Sequence, residues 1–292
     1  MCGDGLVTRT GPIRLLVIVG PTAVGKSALA IRLGQAFGGE IISADSRQIY
    51  RYMDIGTAKV TPQERAGVPH HLIDVVDPDE ELTLAHYQRL AAEVIAETWA
   101  RGKLPILVGG TGLYVRALTE GWTVPEVPPD RALRARLEEQ ARREGPAALH
   151  ASLAAVDPLA AQRIDPRNVR RVIRALEVYQ RTGVPISAQQ AKVAPPYRLL
   201  KIGLTMEREA LYRRIDQRVE RMVAQGLEAE VRGLVARGYG YELPSMSGLG
   251  YREIGQYLRG EVTLAVAIAL IKRNTRRFVR QQYNWFRLSD PT

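Results

Sequence analysis

Cysteine is nearly absent from this chain of 292 residues: Cys2 is the only one. That excludes a disulfide framework and a cysteine-based metal site, and it fits a reducing, cytoplasmic setting. Long apolar runs are missing as well. The longest in the C-terminal half, Leu264–Ile271, is far too short to span a bilayer, so no membrane partner is expected. Residues 1–12 contain no apolar core of the kind a secretory signal needs, so none is expected. Internal repeats and low-complexity tracts are lacking too. What is present, 46% hydrophobic and 25% charged residues, is the composition of an ordinary folded, soluble protein.

Lysine is scarce, with six residues against 35 arginines, and the net charge is +10. The excess is uneven: residues 1–121 sum to −1, residues 122–190 to +3 and residues 191–292 to +8. A one-sided basic surplus suits a large polyanionic partner. An arginine-rich composition spread over solvated helix faces gives the same sum, so charge alone leaves both readings open.

The hydropathy pattern predicts strands over Arg14–Val19, Ile41–Ser43, Leu104–Val108 and Leu199–Leu204. Helical spacing predicts helices over Ser27–Phe37, Leu84–Arg101, Arg131–Arg143, Gly145–Val156, Asn168–Arg181, Glu207–Gln225, Leu227–Arg237 and Thr263–Trp285. Strand–helix alternation implies an α/β fold with a parallel sheet. The proline-rich stretch 122–130 breaks the alternation, and no strand signal follows it until Leu199. The expected organisation is a core from 13–121, a helical insertion from 122–190, and a second core segment from 191–292 ending in basic helices.

Gly20-Pro21-Thr22-Ala23-Val24-Gly25-Lys26-Ser27 satisfies G-x-x-x-x-G-K-[ST] between a predicted strand and a predicted helix. The glycines let backbone N–H groups curl around phosphate oxygens, and the helix N-terminus adds partial positive charge. Lys26 can reach the terminal phosphate, and the Ser27 hydroxyl can ligate Mg²⁺, the expected cofactor. A hydrolase of this class carries an acid at the tip of a second core strand. Here Leu104–Val108 runs into Gly109-Gly110-Thr111-Gly112, and the nearest acid lies after strand two, at Asp45. That points to a transferase holding a donor or leaving group in the cradle. By position, Asp45 suits a general base, a group near the metal, or the cap of a short helix through Tyr50.

Further motifs carry a resemblance. They are Asp45-Ser46-Arg47-Gln48-Ile49-Tyr50 with Met53-Asp54-Ile55-Gly56-Thr57-Ala58-Lys59, then Pro69–Asp74, Val108–Tyr114, Arg171–Tyr179, Gly248–Glu253 and Arg276-Arg277 leading to Trp285-Phe286-Arg287. In that order they resemble the bacterial tRNA dimethylallyltransferases, also called tRNA isopentenyltransferases. The resemblance implies a P-loop NTPase-like parallel core with an inserted all-helical tRNA-binding domain. It implies transfer of a dimethylallyl group from dimethylallyl diphosphate to the exocyclic N6 amine of adenosine 37, just 3′ of the anticodon. The partners it implies are the donor and the tRNA anticodon stem-loop; no obligate protein partner is expected.

The same resemblance makes Asp45 the base and places the donor diphosphate on Gly20–Ser27. Thr111 is implied to contact the extruded adenine, and Asp45, Ser46, Arg47 and Gln48 to line the tRNA side. Arg134, Arg170, Arg171, Arg174, Gly248, Gly250, Tyr251 and Arg252 are implied as further tRNA contacts. Lys26, the cradle amides and metal on Ser27 would hold the departing diphosphate, with Arg218 a candidate for an additional contact or else a solvent-facing helix arginine. Independently of family, Arg167, Arg170, Arg171 and Arg174 fall at helical spacings that make one basic stripe, and Thr263–Phe286 contains no acid.

His70 and His71 lack a third ligand at recognisable spacing, so a structural or donor-pocket role is expected rather than a metal. Tyr50, Tyr114, Trp99 and Trp285 suit either base stacking or core packing. Two departures stand out. Gln281 occupies a position usually basic in relatives, and no cysteines exist for a eukaryotic-type zinc finger. The rival activities are an ATP-dependent small-molecule or nucleotide kinase and a transferase that prenylates free adenine nucleotides.

Overall fold

The structure is a computed structural model that describes residues 11–286; Cys2 and Arg287 lie outside the described residues. In chain order the elements are β1 (Ile13–Val19), α1 (Lys26–Phe37), β2 (Gly39–Ser43), α2 (Pro62–Arg65), β3 (His70–His71), α3 (Leu84–Ala100), β4 (Leu104–Val108) and α4 (Gly112–Thr119). Five helices follow: α5 (Arg131–Glu144), α6 (Pro146–Val156), α7 (Pro158–Arg163), α8 (Val169–Thr182) and α9 (Ile186–Gln189). Then come β5 (Tyr197–Gly203), α10 (Arg208–Ala224), α11 (Leu227–Ala236), α12 (Tyr251–Leu258) and α13 (Leu264–Trp285).

The strands form one parallel sheet in the order β3-β2-β4-β1-β5. β1 lies between β4 and β5, and Leu15 to Val19 are all buried, as a strand covered on both faces requires. Leu16, Ile18, Ile41 and Ile106 pack with Ala30 and Ile31 of α1. A second apolar cluster joins Ile49, Met53 and Tyr251 to Ile215, Val231, Ile271 and Val279 of the later helices. Among the described residues, no helix is long and apolar enough to cross a membrane.

The chain divides into two units, the first comprising 1–82, 87–119 and 196–292, and the second Thr83–His86 with Glu120–Pro195. The second unit extends beyond the expected 122–190 because its two chain ends pair. Trp122 bridges Lys192 antiparallel, and Val193 N donates to Gly121 O at 2.8 Å. Its own core is built on Leu137, Leu149, Leu153, Val172, Ile173 and Leu176.

β3, α2, α4, α7, α9 and α12 are additions to the predicted elements. β3 explains the histidine pair, because successive strand residues face opposite sides. His70 Nδ1 bonds Val68 O at 2.8 Å, and His71 Nε2 meets the buried Glu40 carboxylate at 2.7 Å. Arg101 reaches the same carboxylate at 2.7 Å. Burial would raise the Glu40 pKa, but these partners more than offset it and the net direction is down.

Candidate active site

The sheet's C-terminal edge gathers the candidate residues, as open α/β folds place their ligands. A cavity of about 850 Å³ lies there, lined on one side by Thr22, Gly25, Lys26 and Ser27. Gly25, at φ 108°, is the N-cap of α1, and its left-handed backbone turns the loop into the helix. Asp45, Gln48 and the 54–61 segment form another wall, and Arg214, Arg218 and Arg221 of α10 a third.

The phosphate loop is closed by its own lysine. Lys26 Nζ donates to Gly20 O at 2.9 Å and to Pro21 O at 2.8 Å. Burial pushes its pKa down to about 8, against an opposing pull from Asp45 and with a smaller push from Arg218. Arg218 Nη1 donates to Thr22 Oγ1 at 3.2 Å, so α10 places it on the loop rather than in open solvent. Its pKa is lowered, first by burial, with Asp45 opposing and Arg221 and Arg214 adding to it. Two cations are thus held at a cost, with Asp45 opposing the shift of both and Glu64 adding a weaker pull on Arg218, which is an anion-binding arrangement.

Asp45 does not start a helix; residues 46–49 form turns. Its Oδ1 accepts from Arg47 N at 2.8 Å and Gln48 N at 3.4 Å, while Oδ2 makes no hydrogen bond among the described residues. One oxygen therefore organises the turn and the other is left without a hydrogen-bond partner among the described residues, on a side chain that lines the cavity. Thr111 is tied to the same turn: its Oγ1 accepts from Ser46 N at 3.0 Å, and its N–H donates to Ala44 O at 3.2 Å. Ser27 is exposed in the first turn of α1, and its hydroxyl makes no hydrogen bond among the described residues. The Ser27 hydroxyl is a hard oxygen donor on the cavity and suits Mg²⁺, with water and phosphate oxygens completing the set.

Two separate sequence motifs meet at the wall opposite the loop. Glu230 of α11 accepts from Asp54 N (3.0 Å), Ile55 N (2.7 Å) and Gly56 N (3.1 Å). Tyr251 donates its hydroxyl to the same carboxylate at 2.5 Å, and a Cβ on Gly56 would stand 2.5 Å from the Tyr251 ring. Gln48 Nε2 also fastens this wall, donating to Thr57 O at 3.2 Å and Ala58 O at 3.3 Å.

Several expected tRNA contacts are committed elsewhere. Tyr251 is 1% exposed, and Gly248 and Gly250 are buried, because they form the start of α12 and its Glu253 capping contact. Of that segment only Arg252 presents its side chain, paired with Glu253. The Arg47 guanidinium donates to Pro244 O, Ser245 O and Ser247 Oγ, fixing the turn before the motif. Arg134 and Arg174 both bind the fully buried Glu177, at 2.8 Å and 2.6 Å. Burial raises the Glu177 pKa, yet these guanidiniums and the Asp130 N–H outweigh it and lower it overall. The stripe on α8 is therefore broken. Arg167 pairs with Asp165, and of the four arginines at this spacing Arg170 and Arg171 are the two exposed without an ion pair among the described residues. Tyr50, Tyr114 and Trp99 are core residues, with Tyr114 stacked on Tyr87.

Reading the sequence did not single out Glu230 or assign Gln282 a role. Gln282 is 3% exposed and bonds Thr22 N and Gly110 O. Its signal was a polar residue on the helical stripe of Ala267, Ile271 and Val279.

A family model described as IPP transferase matches residues 48–289. The chain belongs to the IPP transferase family. It is 60% identical over 275 residues to the tRNA dimethylallyltransferase of Roseiflexus castenholzii, covering 94% of this chain and 90% of that relative. It is 55% identical to the one from Thermomicrobium roseum, covering 94% and 83%. The full-length tRNA isopentenylpyrophosphate transferase of Bacillus halodurans superposes with a TM-score of 0.70 at 47% identity, covering 95% and 88%. A eukaryotic dimethylallyltransferase captured acting on tRNA gives a TM-score of 0.78 at 31% identity, covering 93% and 69%. The loop 20–27, Asp45 and Arg218 thus stand in a fold shared with enzymes named for their action on tRNA.

Proposed function

We propose that this chain transfers a dimethylallyl group from dimethylallyl diphosphate to the N6 amine of adenosine 37 in tRNA, giving N6-dimethylallyladenosine and diphosphate. The observation that carries the reading is one cavity shared by the phosphate loop, two half-buried cations and the free oxygen of Asp45. A kinase uses the same cradle, cations and basic carboxylate, so the choice between the two rests on the likeness to relatives named tRNA dimethylallyltransferase.

The adenine lone pair is delocalised into the ring, so the amine is a weak nucleophile. Asp45 Oδ2 accepts its proton as nitrogen bonds to the allylic carbon. The carbon–oxygen bond to diphosphate breaks with its electron pair, and the loop amides, Lys26 and Arg218 stabilise the charge that develops. Mg²⁺ bound through Ser27 would supply further charge neutralisation to the diphosphate. Ile55 and Met222 line the same cavity and suit a short apolar donor chain. The target base must leave its stack to reach Asp45, and Thr111, fixed to Ser46, is the proposed contact for it. Arg170 and Arg171 are the proposed phosphate contacts of the helical unit.

Incubation of purified protein with unmodified tRNA, Mg²⁺, dimethylallyl diphosphate, ATP and AMP, followed by mass analysis of the nucleosides and nucleotides, tests this reading. Dimethylallyladenosine at position 37 is the expected product. Unmodified tRNA with consumption of ATP establishes the kinase, and prenylation of free adenine nucleotides alone establishes the other rival.

A further inference from the structure

Gln282 links two parts of the site that no other side chain described above joins. Thr22 N donates to its Oε1 at 2.8 Å, and its Nε2 donates to Gly110 O at 3.0 Å. The orientation of the carboxamide is forced, since a backbone N–H only donates and a carbonyl only accepts. The approach is close: a Cβ on Gly110 would stand 2.3 Å from Gln282 Nε2. Gly110 precedes Thr111, which holds Ser46 and Ala44, the two neighbours of Asp45. Thr22 belongs to the phosphate loop and also receives Arg218. A continuous hydrogen-bonded path therefore runs from the diphosphate cradle through Gln282 to the turn that carries the base.

Resting on the prenyl-transfer reading, we propose that Gln282 is a positioning residue that sets the distance between the donor cradle and the acceptor side of the site. It acts through Thr22 and Gly110. It also occupies the Thr22 N–H, leaving the remaining loop amides to the diphosphate. Displacement in line at carbon needs the amine, the carbon and the leaving oxygen aligned, and an error of about 1 Å costs on the order of 100-fold in rate. A residue that fixes the gap between two binding halves should govern the chemical step more than the affinity for either substrate.

Two variants test this. Gln282→Met keeps length and volume but neither bonds Thr22 nor Gly110. Its single-turnover rate constant should fall about 10- to 100-fold, while the dissociation constants for donor and tRNA, measured separately, stay within about threefold. Gln282→Glu accepts from Thr22 N but, when ionised, sets an oxygen lone pair against Gly110 O. Protonated, the new carboxyl donates to Gly110 and accepts from Thr22, which restores the native pattern. Its rate relative to wild type should therefore rise as pH falls from about 8 to about 5.5, whereas a residue that only supports folding gives a flat ratio. Thr22 amide exchange with deuterium, which needs no turnover, should accelerate in Gln282→Met. If that variant does not fold, the pH-dependent ratio of Gln282→Glu decides alone. A wild-type rate in Gln282→Met, a flat ratio in Gln282→Glu, or a loss confined to substrate affinity overturns the proposal. Failure of wild type itself to prenylate tRNA overturns the functional reading instead, and the Thr22 exchange still reports the bond.

Discussion

Three arginines on α8 separate phosphate contact from internal support. Arg170 and Arg171 are exposed and have no carboxylate partner among the described residues, whereas Arg174 donates to buried Glu177 at 2.6 Å and to Pro125 O at 3.4 Å. Each cation that neutralises an RNA phosphate contributes roughly 0.7 to 0.9 to the slope of log affinity against log salt. Replacing Arg170 and Arg171 together by Ala should therefore flatten the slope by about 1.6. Between 50 and 200 mM salt, that removes roughly a ninefold difference in binding. Arg174→Ala should leave the slope unchanged. Its effect is on stability, because Glu177 loses one of its charged partners and keeps Arg134 and the Asp130 N–H. A hydrogen bond to a charged group is worth about 1.5–3 kcal/mol, and the denaturant midpoint of the helical unit should fall accordingly. Fluorescence anisotropy of a labelled anticodon stem-loop across salt, paired with urea melts, measures both quantities. Equal slopes in wild type and the double variant, or a flattened slope in Arg174→Ala, would refute the division.

Lys26, whose pKa burial lowers to about 8, loses its charge as pH rises past that value. Wild-type affinity for inorganic diphosphate should drop through that range relative to Lys26→Arg, which stays charged; calorimetric titration at pH 7 and 9.5 with an unchanged ratio counts against it. Asp45→Asn retains an acceptor for the Arg47 N–H but cannot take a proton. Single-turnover rate should fall by about 100- to 10,000-fold with tRNA affinity nearly constant, and an undiminished rate removes Asp45 as the base. Glu230→Gln should weaken three backbone bonds at 54–56, so hydrogen exchange at those amides should speed up selectively; uniform change across the chain would argue for global destabilisation instead.

The α/β core was legible because its strands are apolar runs and its long helices carry a regular apolar stripe. β3 was not, since two residues have no periodicity; its place follows from pairing with Ile41 and Ile42 of β2. α4 and α12 open inside glycine-bearing motifs, where glycine reads as loop. The strand–loop–helix around Gly20–Ser27 was legible down to its residues, because its glycines and its placement between β1 and α1 dictate local sequence. The arginines were not. Spacing put Arg174 on the same stripe as Arg170 and Arg171, yet Glu177, one turn on, draws its guanidinium inward. Tyr251 and Gly250 sit in a motif whose recurrence has a packing cause as well as a functional one: the tyrosine fills the space above Gly56 and binds Glu230. A motif states that residues are needed together, not that each touches the substrate.

The electrostatics of the cavity also bear on why its carboxylate stands after β2. Asp45 opposes the burial of both Lys26 and Arg218, so in the free protein it helps keep the two cations charged. The same charge repels an incoming diphosphate, and the loop amides and cations must outweigh it for the donor to bind. In the proposed reaction, Asp45 becomes neutral as it takes the amine proton, at the stage when the leaving diphosphate gains its full charge. The repulsion therefore falls as the demand for anion stabilisation rises, and both cations are released to the leaving group. That is differential stabilisation of the transition state, obtained from one proton transfer at a site whose cations are already in place. An acid fixed on the metal, as in a hydrolase, keeps its charge through the step and offers no such relief.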